Sequence, residues 1–131
     1  MADRPQLANA EFAIMELLWA EQPLTARDIR ESLYADSGKT QHGTVQRLLQ
    51  RLEDKGLVVR DRDMGVQLFS TTVGREQYAS EQLETLTQRF TGGSLAPLVT
   101  TLVEQHRVSR DEIDRLRRIL DEGAEAVDEP S

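Results

Sequence analysis

One apolar stripe at helical spacing, in the first half of the chain, constrains the fold more than any other feature. Val45, Leu48, Leu49 and Leu52 recur at i, i+3, i+4 and i+7, which predicts an amphipathic helix with one buried face. Gly56 follows the stripe and is expected to end the helix, because glycine is favoured just past a helix C-terminus. The helix must therefore pack against other elements, and its remaining side chains must point outward.

Two shorter segments before this helix are also predicted to be helical. Residues 10–20 carry apolar side chains that recur at helical spacing. Thr25 and Asp28 have the spacing of an N-terminal capping pair, so a second helix is expected to begin there. Residues 36–38 have turn chemistry and separate it from the third helix, which is expected over about residues 41–55.

A β-hairpin is predicted directly after the third helix. Residues 57–62 are rich in β-branched side chains, residues 63–65 favour a turn, and residues 66–71 alternate between apolar and polar. Three helices followed by a hairpin is the element order of a winged helix-turn-helix domain, in which the hairpin is the wing. We assign this domain to residues 1–72, so the predicted fold class is mostly α with a small β-hairpin.

The C-terminal part of the chain is predicted to be helical and to need a partner. Helices are expected over residues 74–90 and 95–106, with Ser94 as a cap, and Ser109 and Glu112 form a capping box for a last helix. Their apolar stripes are narrow and are typical of a seam between paired helices. An ordinary core within one chain is the alternative explanation of the same stripes.

We therefore predict a helical dimerisation domain at residues 73–122, followed by a disordered acidic tail at residues 123–131. Pairing of two copies through this domain makes the expected assembly a homodimer. The predicted interface residues are Leu83, Leu86, Phe90, Leu95, Leu98, Val99, Leu102, Val103, Ile113, Leu116, Ile119 and Leu120.

The distribution of charge permits DNA binding, although the net charge of −7 argues against it. Residues 76–131 hold 6 Lys or Arg and 12 Asp or Glu, whereas residues 1–75 hold 10 and 11. Residues 39–62 contain six basic and three acidic side chains. Since DNA requires a local basic face and not a basic protein, the third helix and the wing become the candidate interface.

The outward face of the third helix carries side-chain types that contact DNA. We predict that Thr44 and Arg47, near the helix start, meet base edges, and that Arg51 lies on phosphate. Arginines of the wing are expected to hold phosphate or to probe the minor groove. The alternative for this face is an ordinary solvated surface. The predicted DNA-binding residues are His42, Thr44, Gln46, Arg47, Arg51, Arg60 and Arg62.

Other classes of function find little support in the sequence. The chain has no cysteine, and His42 and His106 are far apart, so no disulfide, metal site or cofactor is predicted. We find no catalytic Ser–His–Asp set and no phosphate-binding loop, and we predict that the chain is not an enzyme. No apolar segment is long enough to span a membrane and no signal peptide is apparent, so the expected location is cytoplasmic.

Four motifs resemble those of the penicillinase repressor family. Residues 9–19 resemble its opening pattern E-x-x-I-M-x-x-L-W. Residues 44–57 resemble its recognition helix with the Lys-Gly exit into the wing, and residues 93–99 and 109–116 resemble its dimerisation helices. Each motif alone is weakly specific, but their order along residues 9–122 is specific.

The resemblance implies a homodimer that binds an inverted repeat of DNA and represses transcription. In the antibiotic-resistance members of that family, a membrane-bound sensor metalloprotease acts as inducer and triggers cleavage of the dimerisation region. The resemblance makes such a protease an expected partner here as well. The pair aligned with their Asn-Phe cleavage site is Thr101 and Leu102, which departs from that pattern. Copper sensing through Cys-x-Cys is excluded, because the chain has no cysteine.

Two other functions remain open at the level of sequence. A winged helix can act as a protein-interaction module, with the acidic surface meeting a protein instead of DNA. A ligand-responsive regulator with a small-molecule pocket near the dimer interface is the second alternative.

Overall fold

The computed structural model describes residues 7–35 and 41–127, and the side chains up to residue 123. The predicted turn at residues 36–38, Lys39 and the end of the acidic tail lie outside the described residues. Within the described ranges, the chain forms six helices and one antiparallel two-stranded sheet, which confirms the predicted fold class. In order, these are α1 (Asn9–Ala20), α2 (Ala26–Leu33), α3 (His42–Asp54), β1 (Val58–Asp63), β2 (Val66–Thr71), α4 (Arg75–Thr91), α5 (Ala96–Glu104) and α6 (Arg110–Val127).

The core lies where α1, α2 and α3 meet the base of the hairpin. The predicted stripe of α3 is buried along its whole length, which confirms the helical period found in the sequence. It packs with Ile14 and Leu18 of α1, Ile29 of α2 and Phe69 of β2, all of which are buried. Because this cluster draws on every element of the winged helix, burial of the stripe fixes which face of α3 remains outside.

Local capping sets where α2 and α3 begin and end. The Asp28 N–H donates to the Thr25 hydroxyl at 3.0 Å, and the Thr25 N–H donates to the Asp28 carboxylate at 3.1 Å. This confirms the predicted capping pair. Gly56 has a φ of 78°, a left-handed conformation that lets the chain leave α3 and enter β1.

The hairpin has two different faces. Its two-residue turn is Met64 and Gly65, and the pair that closes it is Asp63 and Val66. Arg60 lies opposite the buried Phe69, and Arg62 opposite Gln67, so both arginines share the face that continues the core side of the sheet. The alternate positions of β1 after its first residue are therefore on the outer face: Val59, Asp61 and Asp63.

The chain divides into two compact units, and the boundary along the chain falls between Thr85 and Leu86. The first unit extends past the hairpin because Val73 and Tyr78 belong to the buried core. Trp19 is partly buried there and donates from its indole N–H to the Val73 carbonyl at 2.8 Å. The boundary proposed from the sequence, after residue 72, falls earlier in the chain than this division.

The start of one helix in the second unit, α5, was predicted wrongly. The N-cap of α5 is Leu95 and not Ser94, and no side chain caps it. The Ser94 carbonyl instead accepts a hydrogen bond from the Thr91 hydroxyl. Ser109 does cap α6, because its hydroxyl accepts from the Glu112 N–H at 3.2 Å. α6 continues to Val127, past the expected helix end at residue 122, so residues 123–127, which were predicted to begin the disordered tail, are helical.

Candidate nucleic-acid interface

The face of α3 opposite its buried stripe is polar and open. Gly43, Arg47, Gln50 and Asp54 are exposed and follow one another at intervals of three or four residues, so they form one strip along the helix. Arg51 is also exposed and lies beside this strip. The predicted polar face is therefore a continuous surface, and a straight helix of this length is the element that enters the major groove of DNA.

Three arginines of this region are candidates for direct contact with DNA. The side chains of Arg47, Arg51 and Arg62 form no hydrogen bond or ion pair with any residue that the structure describes. Arg47 and Arg51 are four residues apart on α3 and therefore neighbours on its surface. Unpaired guanidinium groups can fork onto phosphate or guanine without first breaking an internal bond.

The helix start holds the other predicted contacts. His42 and Gln46 contact each other, with 3.3 Å between the Nε2 atoms of the two side chains. The Nδ1 atom of His42 is buried and has no hydrogen-bond partner. Thr44 and Gln46 are half-buried at opposite edges of the polar face. These side chains are thus less free than Arg47, although they lie where a recognition helix meets base edges.

The Arg60 side chain is hydrogen-bonded to other residues of the protein. Its guanidinium forms two hydrogen bonds with the Glu53 carboxylate of α3, of which Nε to Oε2 is 2.8 Å. Nη1 donates to Gln67 at 2.7 Å, and the guanidinium lies 5.0 Å from the centre of the Phe69 ring. The hydrogen bonds to Glu53 raise the pKa of Arg60 above its ordinary value. Of the two predicted wing arginines, Arg62 is consequently the one with a free guanidinium.

Two residues of this region were not among the DNA-binding residues predicted from the sequence. Gln50 is exposed in the centre of the polar face, and its amide donates to Asp54 at 3.0 Å. Helical spacing from Arg47 was sufficient to find it. Glu53 was missed because its role depends on Arg60, and only the path of the chain around Gly56 brings these two side chains together.

A buried ion pair fixes the C-terminal end of α3. The Nζ atom of Lys55 is 2.7 Å from Oε1 of Glu11, whose residue is 1% exposed. Burial raises the pKa of the Glu11 carboxyl. The hydrogen bonds from Lys55 and the Ala8 N–H, with the positive charges of Lys55 and Arg51, outweigh this effect and hold the pKa below its ordinary value of 4.5. The first turn of α1 is thereby tied to the end of the candidate recognition helix.

The predicted interface residues of the second half of the chain are mostly exposed. Phe90 is 66% exposed and Leu120 65%, and none of the predicted set is buried. Among residues 86–123, Thr87 is the one buried residue, so no apolar side chain of this range is fully covered. A unit that buries so little apolar surface gains little stability from its own packing.

The described part of the chain lacks the features of a metal site and of a membrane span. It contains no group of three acidic or histidine side chains with the geometry to hold a metal ion. None of its helices combines the length and the apolar content that a membrane span requires.

Comparison with known proteins identifies the family. The profile described as penicillinase repressor matches residues 7–122. The transcriptional regulator BlaI of Mycobacterium tuberculosis is 36% identical over 124 residues, which cover 93% of this chain and 88% of that protein. The penicillinase repressor of Bacillus licheniformis is 25% identical over 118 residues, covering 90% and 91%.

One solved structure has a similar fold at low identity. It is MepR, a transcription regulator of the Staphylococcus aureus multidrug efflux pump MepA, with a TM-score of 0.50 and 21% identity. The match covers 93% of this chain and 81% of that one. Members of the matched family are transcriptional repressors and not enzymes, in agreement with the prediction from the sequence. Since the profile spans most of the chain and all four motifs, the chain belongs to the penicillinase repressor family.

Proposed function

We propose that the chain is a transcriptional repressor that binds a palindromic DNA operator as a homodimer. The observation that carries this proposal is a set of three guanidinium groups on α3 and the wing, those of Arg47, Arg51 and Arg62, which pair with no residue that the structure describes. The names of the relatives, a transcriptional regulator and a penicillinase repressor, support it.

In this proposal α3 enters the major groove. Arg47 is on the central strip of the polar face and contacts a base edge, with Thr44 beside it. Arg51, one turn further along, holds a phosphate, and Arg62 holds a phosphate or enters the neighbouring minor groove. Phosphate contacts fix the register of the protein on the duplex, whereas base contacts supply sequence preference.

Dimerisation gives the operator its symmetry. The exposed apolar side chains between Leu83 and Leu120 would be covered by the same side chains of a second copy, in a two-fold interface. Two recognition helices then meet two half-sites one helical turn apart. The second half-site binds at high effective concentration once the first is occupied, so loss of the dimer releases DNA.

The first test is the affinity of the purified protein for its own promoter region as a function of salt. Arg47→Ala is expected to weaken binding by about 1–3 kcal/mol, because it removes one base or phosphate contact. Arg118→Ala is the matched control, since Arg118 is an exposed arginine on α6 and belongs to neither α3 nor the wing. It is expected to leave the affinity unchanged.

The salt dependence distinguishes operator binding from the alternatives. Affinity for the promoter should fall steeply with salt, because phosphate contacts release counterions. If the wild type prefers its promoter no more than random DNA, the repressor proposal fails for that promoter. Weak and salt-insensitive binding would instead favour a protein-interaction module.

The second test is the oligomeric state in solution. Leu120→Glu is expected to convert the dimer into a monomer, measured by sedimentation, because it places a charge within the proposed interface. Arg118→Glu introduces the same side chain on the opposite face of α6 and should leave the dimer intact. A wild-type protein that sediments as a monomer at every concentration would contradict the proposed assembly.

Release of DNA is proposed to follow from separation of the protomers. Thr101 and Leu102 are exposed on α5, and a cut between them would detach α6 and its apolar residues from the winged helix. A membrane-bound sensor metalloprotease would act as inducer by this route. Purified repressor that is cut at this bond should lose its dimer and its operator affinity, and unchanged binding after the cut would exclude the route.

A further inference from the structure

The contact between Arg60 and Glu53 joins the wing to the candidate recognition helix. Glu53 is in the last turn of α3, and Arg60 is the third residue of β1. The two side chains meet through a forked pair of hydrogen bonds, a geometry that only the planar guanidinium group can form. The side-chain oxygen of Gln67 in β2 accepts a hydrogen bond from the same guanidinium, so both strands are tied to α3.

The geometry of this contact makes it firmer than an ordinary surface ion pair. The side chain of Arg60 is 32% exposed and that of Glu53 20%. The guanidinium also stacks over Phe69, whose ring is part of the core. A forked, partly buried pair that rests on a core ring holds a defined geometry, whereas an exposed pair contributes little.

The outer half of the wing has little other support. Residues 61–66 are exposed, and the buried residues of the hairpin are Val58 at its base and Phe69, which lies opposite Arg60. The direction in which Arg62 projects therefore depends on how firmly the middle of β1 is held. Arg60 is two residues before Arg62 on the same face of the hairpin.

We infer that Arg60 is a positioning residue, which locks the wing against α3 through Glu53 so that Arg62 and Arg47 reach one DNA duplex together. This inference rests on the proposed function, since it assigns Arg60 a part in operator binding. Arg60 then acts without touching DNA, and Glu53, an acidic residue on the recognition helix, favours DNA binding.

Simple electrostatics predicts the opposite effect of Glu53 on DNA affinity. A carboxylate near a DNA surface repels phosphate, so its removal would ordinarily tighten binding. Removal of Glu53 would also free Arg60 to contact a phosphate. If Arg60 is a positioning residue, loss of Glu53 instead loosens the wing and weakens binding.

The test compares Glu53→Gln with Asp54→Asn for affinity to the operator. The two variants remove one negative charge from adjacent positions of α3, and Asp54 is hydrogen-bonded to Gln50 and not to Arg60. We expect Glu53→Gln to weaken binding about fivefold, as for other directly coupled residues. Asp54→Asn should instead tighten binding, because it removes a carboxylate from the strip of α3 that faces DNA in the proposed complex. Arg60→Lys keeps the charge but loses the fork, and should resemble Glu53→Gln.

A second measurement follows the wing in the absence of DNA. Amide hydrogen exchange of residues 60–67 should be faster in Glu53→Gln than in Asp54→Asn, while the amides of α1 and α3 stay protected in both. This readout also establishes that the variants are folded.

Each outcome has a distinct meaning. If Glu53→Gln binds the operator as tightly as Asp54→Asn, or more tightly, or if exchange in the wing does not change, the positioning role is wrong. If the wild type itself has no operator preference, the repressor function fails. In that case faster exchange in Glu53→Gln would still establish the link between wing and helix.

Discussion

Glu11 is a buried carboxylate whose charge stabilises the junction between α1 and the end of α3. Its pKa is depressed in the folded protein because the bonds to Lys55 and Ala8 outweigh the cost of burial. A depressed pKa means that folding is favoured by the ionised form. The contribution of Glu11 is therefore fully present above its ordinary pKa of 4.5, and it is lost as the pH falls through the lower pKa of the folded state.

We expect Glu11→Gln to lower the free energy of unfolding by about 1–2 kcal/mol near neutral pH, because a charged hydrogen bond becomes a neutral one. The difference from the wild type should shrink as the pH falls below 4.5. Urea denaturation of both proteins at a series of pH values measures this. A difference that stays constant down to about pH 2 would contradict the assigned ion pair.

At the scale of single elements, two glycines at the ends of α3 have opposite requirements: Gly43 in its first turn and Gly56 just past its last residue. Gly43 lies in the first turn with ordinary helical φ, and a Cβ atom added there would meet no atom within 4 Å. Gly56 has a φ of 78°, which L side chains rarely adopt. The first position therefore tolerates alanine, and the second requires glycine.

Gly43→Ala is expected to stabilise the protein by about 0.5–1 kcal/mol, because alanine loses less conformational freedom in a helix. Gly56→Ala is the contrasting variant and should destabilise by about 1 kcal/mol or more, because of its left-handed backbone. Thermal and urea unfolding of both variants measure the two effects. Destabilisation by Gly43→Ala would mean that the start of α3 is not a regular helix.

The elements that were predicted well are those whose signal is local. The period of the stripe in α3 and the Thr25 cap each depend on a few neighbouring residues, and the structure contains both. β2 forms where it was predicted, although its burial does not alternate. The prediction that Ser94 caps α5 was wrong. The Thr91 hydroxyl donates a hydrogen bond to the backbone carbonyl of Ser94, and the Ser94 hydroxyl does not cap the helix. Such a choice between two local hydrogen bonds leaves no trace in hydrophobic periodicity.

The candidate site was predictable only in part, for the same reason. Exposure of Arg47 and Arg51 follows directly from the buried stripe, since both positions are opposite it. The engagement of Arg60 depends on the turn at Gly56 and on the rotamers of Glu53 and Gln67. No spacing rule connects a helix end with the third residue of the next strand.

At the scale of the whole molecule, the two units differ in how they are stabilised. The first has a core of fully buried side chains, whereas residues 86–123 bury no apolar side chain completely. Folding of the second unit is therefore expected to be coupled to association of two copies. The stability of the full chain should then depend on protein concentration.

The melting temperature of the wild type is expected to rise with protein concentration, since a tenfold change is equivalent to about 1.4 kcal/mol for a dimer. Leu120→Glu should abolish this dependence and melt at a lower temperature. Scanning calorimetry over a hundredfold concentration range measures both. A concentration-independent melting temperature of the wild type would indicate that the units are stable as a monomer.

Because the two faces of the wing differ in charge, the orientation of its arginines depends on the register of the hairpin. Arg60 and Arg62 alternate with Asp61 and Asp63 along β1, so one side is basic and the other acidic. A slip of one residue in strand pairing moves every side chain to the opposite face. Insertion of a single residue between Val58 and Arg60 would therefore turn the carboxylates towards the side of α3, although the composition and charge of the wing would be almost unchanged. Homologous wings of this kind are expected to vary more by substitution than by single-residue insertion.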